Sequence, residues 1–326
     1  MMIRLLHVLG HVLVVGLILA GTAWAVTAVW LQLSGPVRLI ALALLGLTAL
    51  SALGLWFGDH RGLALALVGL AAVTVGLWYH TITPRQDRDW EIDVARGVTA
   101  RIEGERVTLS NIRDFDWTSE TEATPRWISQ EYDLSKLDSL DMFTSVWSRP
   151  DIAHLLVSFG FSTGQHVVFS VEIRRERGEK FNEIGGFFRQ FEQVLIAATE
   201  DDIVKLRTNY RKEQVRLYPV DLTPGQIRDM FLSYLALAQE LEQEPRFYNT
   251  LTSNCTTAVW QLARRLKPDL PLDRRLVLSG RLPDYLTDLG LIAAVPAAER
   301  DAAALITPLG QRHEGTKPFS DLIRGR

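Results

Sequence analysis

Cysteine is nearly missing from this 326-residue chain: there is one, Cys255. A single thiol forms no intramolecular disulfide, and no Cys-x-x-Cys pair exists for zinc or redox work. A disulfide-stapled secreted domain is therefore excluded. Charge is nearly missing from the first quarter, where residues 1–83 hold only Arg4, Arg38, Asp59 and Arg61. The remainder carries 32 basic and 37 acidic residues, a net of −5. Neither part has the basic surplus that phosphate neutralisation needs, which argues against a nucleic-acid partner. With 47% hydrophobic residues the chain is not a long disordered one. No internal repeat and no metal-ligand spacing is found. The chain reads as an apolar front segment joined to an ordinary charged globular one.

The apolar segment divides into three runs. They are separated by Ser34-Gly35-Pro36 and by Gly58-Asp59-His60-Arg61-Gly62. About 20 apolar residues suffice to cross a bilayer core, which predicts transmembrane helices over about 5–31, 37–57 and 62–80. Trp24, Trp30, Trp56, Trp78 and Tyr79 fall near run ends, where amphipathic rings favour the interface. Ala23-Trp24-Ala25 resembles a signal-peptide cleavage site, but the run continues past it and two more follow, so a retained helix is favoured. Arg4 and Arg61 against Arg38 favour a cytoplasmic N-terminus, whereas Arg85 and Arg88 after the third run oppose it. Lysine and arginine positions alone leave the orientation open.

Residues 84–295 read as a globular domain and 296–326 as an alanine-rich, then polar, partly frayed tail. Alternation of Val98, Ala100 and Ile102, then Val107 and Leu109 around Gly104, predicts a hairpin. Trp127–Leu134 and Phe191–Ala198 read as strands. The clearest hairpin joins 154–161 to 166–173 through Ser162-Thr163-Gly164-Gln165, both arms being rich in β-branched and aromatic residues. Thr223-Pro224-Gly225-Gln226 is a capping-box start, followed by Ile227, Met230, Phe231, Tyr234, Ala238 and Leu241 at helical spacing. A second helix starts at Asn254 or Cys255 and stops before Pro268. A third spans Pro283–Leu289 and stops at Gly290. The fold class expected is α+β.

The segment Phe247-Tyr-Asn-Thr-Leu-Thr-Ser-Asn-Cys-Thr-Thr257 puts the one thiol in the first turn of a helix. Free N–H groups and the helix dipole stabilise a thiolate there. Activation further needs a base. Of seven histidines, His154 is set in an apolar strand, where a polar ring needs a reason, and it is the chosen base. A third group should orient the imidazole. In the hairpin register in which facing residue numbers sum to 326, Glu172 lies opposite His154; His166 is the alternative orienter. Asn254, Thr256, Tyr248 and Asn249 are supporting candidates, although turn-building and helix-capping account for them equally well. A single cysteine is more often an inert buried residue than a nucleophile, and Cys255 is open to that reading too. Arg207-Thr208-Asn209-Tyr210-Arg211 could bind an anionic head group, but a surface basic cluster is the commoner meaning of such a run.

These residues carry a resemblance. Asn111-Ile-Arg-Asp-Phe115, Ile152-Ala-His-Leu155 with Val157-Ser-Phe-Gly-Phe161, and Phe169-Ser-Val-Glu-Ile-Arg174 come first. Phe188-Arg-Gln-Phe-Glu192, Leu206-Arg-Thr-Asn209, Phe247-Tyr-Asn-Thr-Leu and Asn254-Cys-Thr-Thr257 follow. In this order, over roughly 105–292, the sequence resembles the Lnb N-terminal periplasmic domain family of Gram-negative bacteria. The resemblance implies a cysteine–histidine site on Cys255 and His154, and a globular domain in the periplasm. The family's named member is a lipoprotein N-acyltransferase. More loosely, a strand histidine followed by Asn-Cys at a helix start resembles permuted papain-like (permuted NlpC-like) proteins. Among these is the lecithin:retinol acyltransferase group, whose cysteine takes an acyl chain from a phospholipid.

The expectation is a multi-pass protein of the bacterial inner membrane with a periplasmic papain-like α+β domain. It acts as a thiol acyltransferase through an acyl-thioester on Cys255, with a phospholipid or lipoprotein substrate and no cofactor or metal. The alternatives are a cysteine hydrolase of the envelope (a peptidase, amidase or lipid deacylase) and a non-catalytic envelope binding domain. Nothing in the sequence fixes the oligomeric state.

Overall fold

The structure, a computed structural model, describes residues 2–313 and 317–325. The side chain of Arg4, which enters the orientation argument, lies outside the described residues. The chain divides into two compact units, Met1–Pro84 with Asn182–Gln190, and Arg85–Phe181 with Phe191–Arg326.

In the first unit the apolar runs form α1 (Met2–Gln32), α2 (Gly35–Phe57) and α3 (Arg61–His80). Leu5–Gln32, Gly35–Phe57 and Arg61–His80 are each long and apolar enough to cross a membrane. Gly35 takes a φ of +60° at the tight α1–α2 joint and Pro36 follows in the first turn, where its missing N–H costs nothing. Large apolar side chains point outward along all three helices, among them Leu13, Leu47 and Leu70. A soluble helix would bury such residues; a lipid-facing one has no reason to.

The second unit is built on an eight-stranded sheet. Its strands are β1 (Thr99–Glu103), β2 (Arg106–Arg113), β5 (Trp127–Asp133), β6 (Leu137–Val146), β7 (His154–Phe161), β8 (His166–Arg174), β9 (Glu192–Ala198) and β10 (Gln214–Pro219), with β3 (Asp116–Trp117) and β4 (Ala123–Thr124) pairing apart. The order is β1-β2-β9-β8-β7-β6-β10, with β5 also on β2. Both predicted hairpins form. In the first, Glu103 pairs Arg106 around Gly104, whose φ is +63°. In the second, Gly160↔His166, Phe159↔Val167 and Val157↔Phe169 realise the register whose residue numbers sum to 326.

The central strands are covered on both faces, which is why β7 and β8 read as nearly continuous apolar runs. On one face Val157, Phe159, Phe161, Phe169 and Val171 pack against α5 (Pro224–Gln243) and α6 (Cys255–Leu266). On the other, Leu156, Val168, Ile196 and Ala198 pack against Ile203 and Val204 of α4 (Glu200–Lys205). Thr223 and Gln226 make the predicted capping box of α5. Beyond α7 (Leu282–Asp288) come α8 (Ala297–Ala303), α9 (Thr307–Gly310) and α10 (Phe319–Ile323). The segment read as a frayed tail is thus packed: Ile306, Phe319 and Ile323 are buried in the second face of the sheet. Arg324 also pairs with buried Asp141 and Glu200 at 2.7 Å each. Its apolar residues are too widely spaced for a periodicity argument to find them.

Candidate active site

Asn254 caps α6 in extended conformation, and its side-chain oxygen accepts the N–H groups of Thr256 (2.9 Å) and Thr257 (2.8 Å). The Thr257 hydroxyl accepts the Asn254 N–H at 2.9 Å, closing a capping box. The turn before it is fixed by Asn249, whose side chain accepts the N–H groups of Leu251 and Thr252, both at 3.0 Å. Local chemistry therefore dictates that Cys255 is the first residue of the helix. The cap consumes two first-turn donors, so the anion-stabilising role expected of the helix start narrows to the Cys255 N–H.

His154 opens β7. Its Nε2 lies 2.8 Å from the Ser170 hydroxyl and 3.0 Å from Glu172 Oε1. Ser170 donates its own proton to Glu172 Oε1 at 2.7 Å, so toward His154 the hydroxyl is an acceptor. The network thus assigns the proton to Nε2 and leaves Nδ1 for the thiol, with which His154 shares a hydrogen bond. Glu172 is held in turn by Arg207, whose Nη2 donates to Oε1 at 3.3 Å. Arg207 sits in a buried π-helical turn, Leu206–Tyr210. Such bulges recur at functional sites because they re-aim one side chain.

The β7–β8 ladder stops at Val157↔Phe169, and the α6 start occupies the gap where the strands part. There the Cys255 sulfur accepts the Leu155 backbone N–H. Burial alone would raise the thiol's pKa. The hydrogen bond and charge of His154, the Leu155 N–H and the Thr256 hydroxyl at 3.8 Å outweigh it and lower the pKa below the usual thiol value. Burial alone would likewise depress the imidazole. The Glu172 carboxylate and the thiol contact reverse that and raise His154 to about 9. Burial would raise Glu172, yet His154, Arg207 and Ser170 together hold it well below the ordinary carboxylate range. The net arrangement favours a thiolate–imidazolium pair. His154 and Glu172 keep 15% and 19% of their side-chain exposure, so the cluster is covered but reachable.

Cys255, His154 and Glu172 are brought together, with Asn254, Thr256 and Asn249 framing the helix start. Tyr248 stands within electrostatic reach of Cys255 and Glu172; burial first, then those charges, raise its phenol. His166 is not brought in. It lies six residues before Glu172 on the same strand, about 20 Å away by strand rise, and its Nδ1 faces the Gly164 carbonyl at 3.1 Å. Sequence reasoning missed Ser170 and Arg207. Ser170 shares a strand face with Glu172 two residues on, a visible signal. Arg207 lies inside a segment taken for a surface cluster, and only the fold reveals its burial. Among the described residues no group of three or more histidine, cysteine or acidic side chains is placed to hold a metal ion.

Beside Thr256 and Leu155 opens a cavity of about 200 Å³. Met142, Met230, Val259 and Leu282 line it, and nearly all of its wall is apolar.

The chain is thus three membrane-length helices joined to an α+β domain with a cysteine–histidine–glutamate cluster at one end of its sheet. Residues 123–280 match the family model described as the Lnb N-terminal periplasmic domain, so this part of the globular unit is similar to that family. No curated protein and no solved structure matches the chain.

Proposed function

We propose that this is a membrane-anchored periplasmic thiol acyltransferase. The observation that carries the reading is the grouping of Cys255, His154 and Glu172, in which the imidazole lowers the pKa of the thiol and the carboxylate 3.0 Å away raises that of the imidazole. In the first half-reaction the Cys255 sulfur attacks an ester carbonyl. The S–C bond forms, the ester C–O bond breaks, and the leaving alkoxide takes the proton from His154. The Cys255 N–H is the donor available to the oxyanion. In the second half an amine, such as a lipoprotein N-terminus, attacks the thioester. Its N–C bond forms, the C–S bond breaks, and its proton returns to His154.

The apolar cavity favours an acyl chain over a peptide. Its wall offers carbon and almost no hydrogen-bonding partner, whereas a peptide backbone would need both donors and acceptors met. The order strand-histidine, then helix-start cysteine, resembles the permuted papain-like acyltransferases and agrees with this. Three crossings would place a periplasmic domain on the far side from a cytoplasmic N-terminus, which makes this a multi-pass inner-membrane protein with donor and enzyme on one surface.

Intact-mass analysis of protein purified with native lipids, alongside Cys255→Ala, tests the reading. A hydroxylamine-labile acyl mass on the parent and none on the variant is expected. A parent with no adduct and a thiol inert to iodoacetamide would overturn it in favour of a binding domain. Free acid rather than amide among the products would replace transfer by hydrolysis.

A further inference from the structure

The segment Asn182–Gln190 lies between β8 and β9 in sequence, yet it packs as part of the helical membrane unit. Its backbone is closed on itself. Gly185 N–H donates to the Asn182 side chain, Phe187 N–H to Ile184 O at 2.9 Å, and Phe188 N–H to Gly185 O at 3.0 Å. It is tied to α1 through Gln32, whose Nε2 donates to the carbonyls of Phe188 (2.8 Å) and Arg189 (2.9 Å). It is tied to α3 through Arg189, whose Nη1 donates to the carbonyls of Tyr79 (3.0 Å) and Ile82 (3.1 Å) while the guanidinium covers the Tyr79 ring at 4.7 Å. These carbonyls lie at and just beyond the end of α3, where the helix dipole favours a cation. Arg189 holds a left-handed φ of +58° to reach them, a conformation that persists only when its surroundings determine it.

The level of this knot follows from the helices. Trp24 of α1 meets Tyr79 at the end of α3, ring centroids 4.9 Å apart, and also Phe188 at 5.8 Å. From Trp24 to Gln32 α1 continues past the end of α3 for eight more residues, about 12 Å of rise. The knot rests on this overhang, at the depth where a bilayer passes from hydrocarbon to headgroups. Within it Gly185 and Gly186 are buried, while Ile184 and Phe187 are 57% and 44% exposed. Three residues apart in a 3-10 turn, these two side chains stand side by side. Isolated exposed apolar residues need no explanation. These two flank a turn whose next residue, Phe188, meets the partly exposed Trp24 ring, in a helical unit that also exposes the apolar side chains of Trp30 and Leu77.

We infer that Asn182–Gln190 is a lipid-contacting finger that seats Ile184 and Phe187 in the interfacial layer of the phospholipid bilayer. It would hold the β8–β9 connection, eight residues beyond Arg174, to the membrane plane whatever chemistry occurs at Cys255.

The full chain, in a Cys255→Ala background, is labelled with bimane at Ile184→Cys or Phe187→Cys, or at the control Leu272→Cys, an exposed position of the other unit. It is reconstituted in phosphatidylethanolamine–phosphatidylglycerol vesicles. At both finger positions nitroxide lipids should quench at least twofold, more strongly with the nitroxide near the headgroup than deep in the chain. Aqueous iodide should quench them several-fold less than the control. Iodide quenching equal to the control, with no effect of nitroxide lipid, would overturn the inference. A second measurement needs no substitution: diazirine-bearing phospholipid photolysed with the unaltered chain. Adducts on the peptide containing Ile184 and Phe187 are expected; adducts on α1–α3 peptides but none there would overturn it equally.

Discussion

At the scale of single residues, the site depends on which atom holds each proton. Ser170 bridges His154 and Glu172 and donates to the latter, so Ser170→Ala removes one support without emptying the cavity. Iodoacetamide alkylation of Cys255 at pH 7 should slow in that variant, and more in Glu172→Gln. In His154→Ala the drop should be on the order of tenfold, because a thiol at its ordinary pKa is only a few per cent thiolate at neutrality. Alkylation unchanged by His154→Ala would show that the histidine does not activate the thiol. The pH dependence has a definite sign. The His154 pKa is raised from its ordinary value to about 9, so the stability gained from its pairing is full below the ordinary value and is lost as pH rises through about 9. Glu172 is depressed, so its contribution is present above the ordinary carboxylate range and is lost as pH falls through its lowered pKa. Thermal denaturation across pH should therefore show an alkaline loss near pH 9 that Glu172→Gln lacks. Tyr234 behaves differently. Its hydroxyl is fully buried with no hydrogen-bond partner among the described residues, a cost of about 1–3 kcal/mol in a core. Tyr234→Phe should leave stability level or raise it, as a chemical denaturation midpoint would read.

At the scale of elements, the parts written in local chemistry were the ones legible from sequence. The 154–161 and 166–173 arms with a glycine between them specified a hairpin, and the length of the loop specified its register. That register put Glu172 within reach of His154. Asn254 and Thr257 specified a helix start, and with it the placing of Cys255. What stayed hidden was tertiary. That α6 docks against the ends of β7 and β8 depends on packing across the sheet, with almost a hundred residues intervening. The π-helical turn that buries Arg207 has no sequence period of its own. Asn111-Ile-Arg-Asp-Phe115, quoted as part of a family pattern, proves to be framework. Asn111 takes a φ of +60° at a bulge in β2, and Arg113 grips Asp202 at 2.8 and 3.0 Å. Asn254→Ala should cost about 1 kcal/mol as a lost cap. It should also slow alkylation by freeing the helix start, and a denaturation curve paired with a rate separates the two effects.

For the whole molecule, the membrane-spanning and globular segments were separable by charge alone, since four charged residues in 83 cannot cover a soluble surface. The packed C-terminal stretch was not legible, because its anchor is one ion-paired arginine rather than a pattern. Arg324 is 8% exposed and neutralises Asp141 and Glu200, which are buried at 7% and 0%. Arg324→Leu would leave two carboxylates in the core without a counter-charge, a loss of about 3–5 kcal/mol. A denaturation midpoint should register it, and lowering the pH should recover part of the loss as the carboxylates take up protons. The parting of β7 from β8 has a different consequence. Leu155 donates its amide to sulfur where a neighbouring strand would offer a carbonyl. That proton is therefore a built-in indicator of the sulfur's state. While the sulfur is anionic the amide is held and its resonance lies downfield. On the proposed conversion of the sulfur to a neutral thioester that bond would weaken, and the same amide should move upfield and exchange faster with solvent. Turnover could then be followed from a single backbone nitrogen, with no label on the substrate.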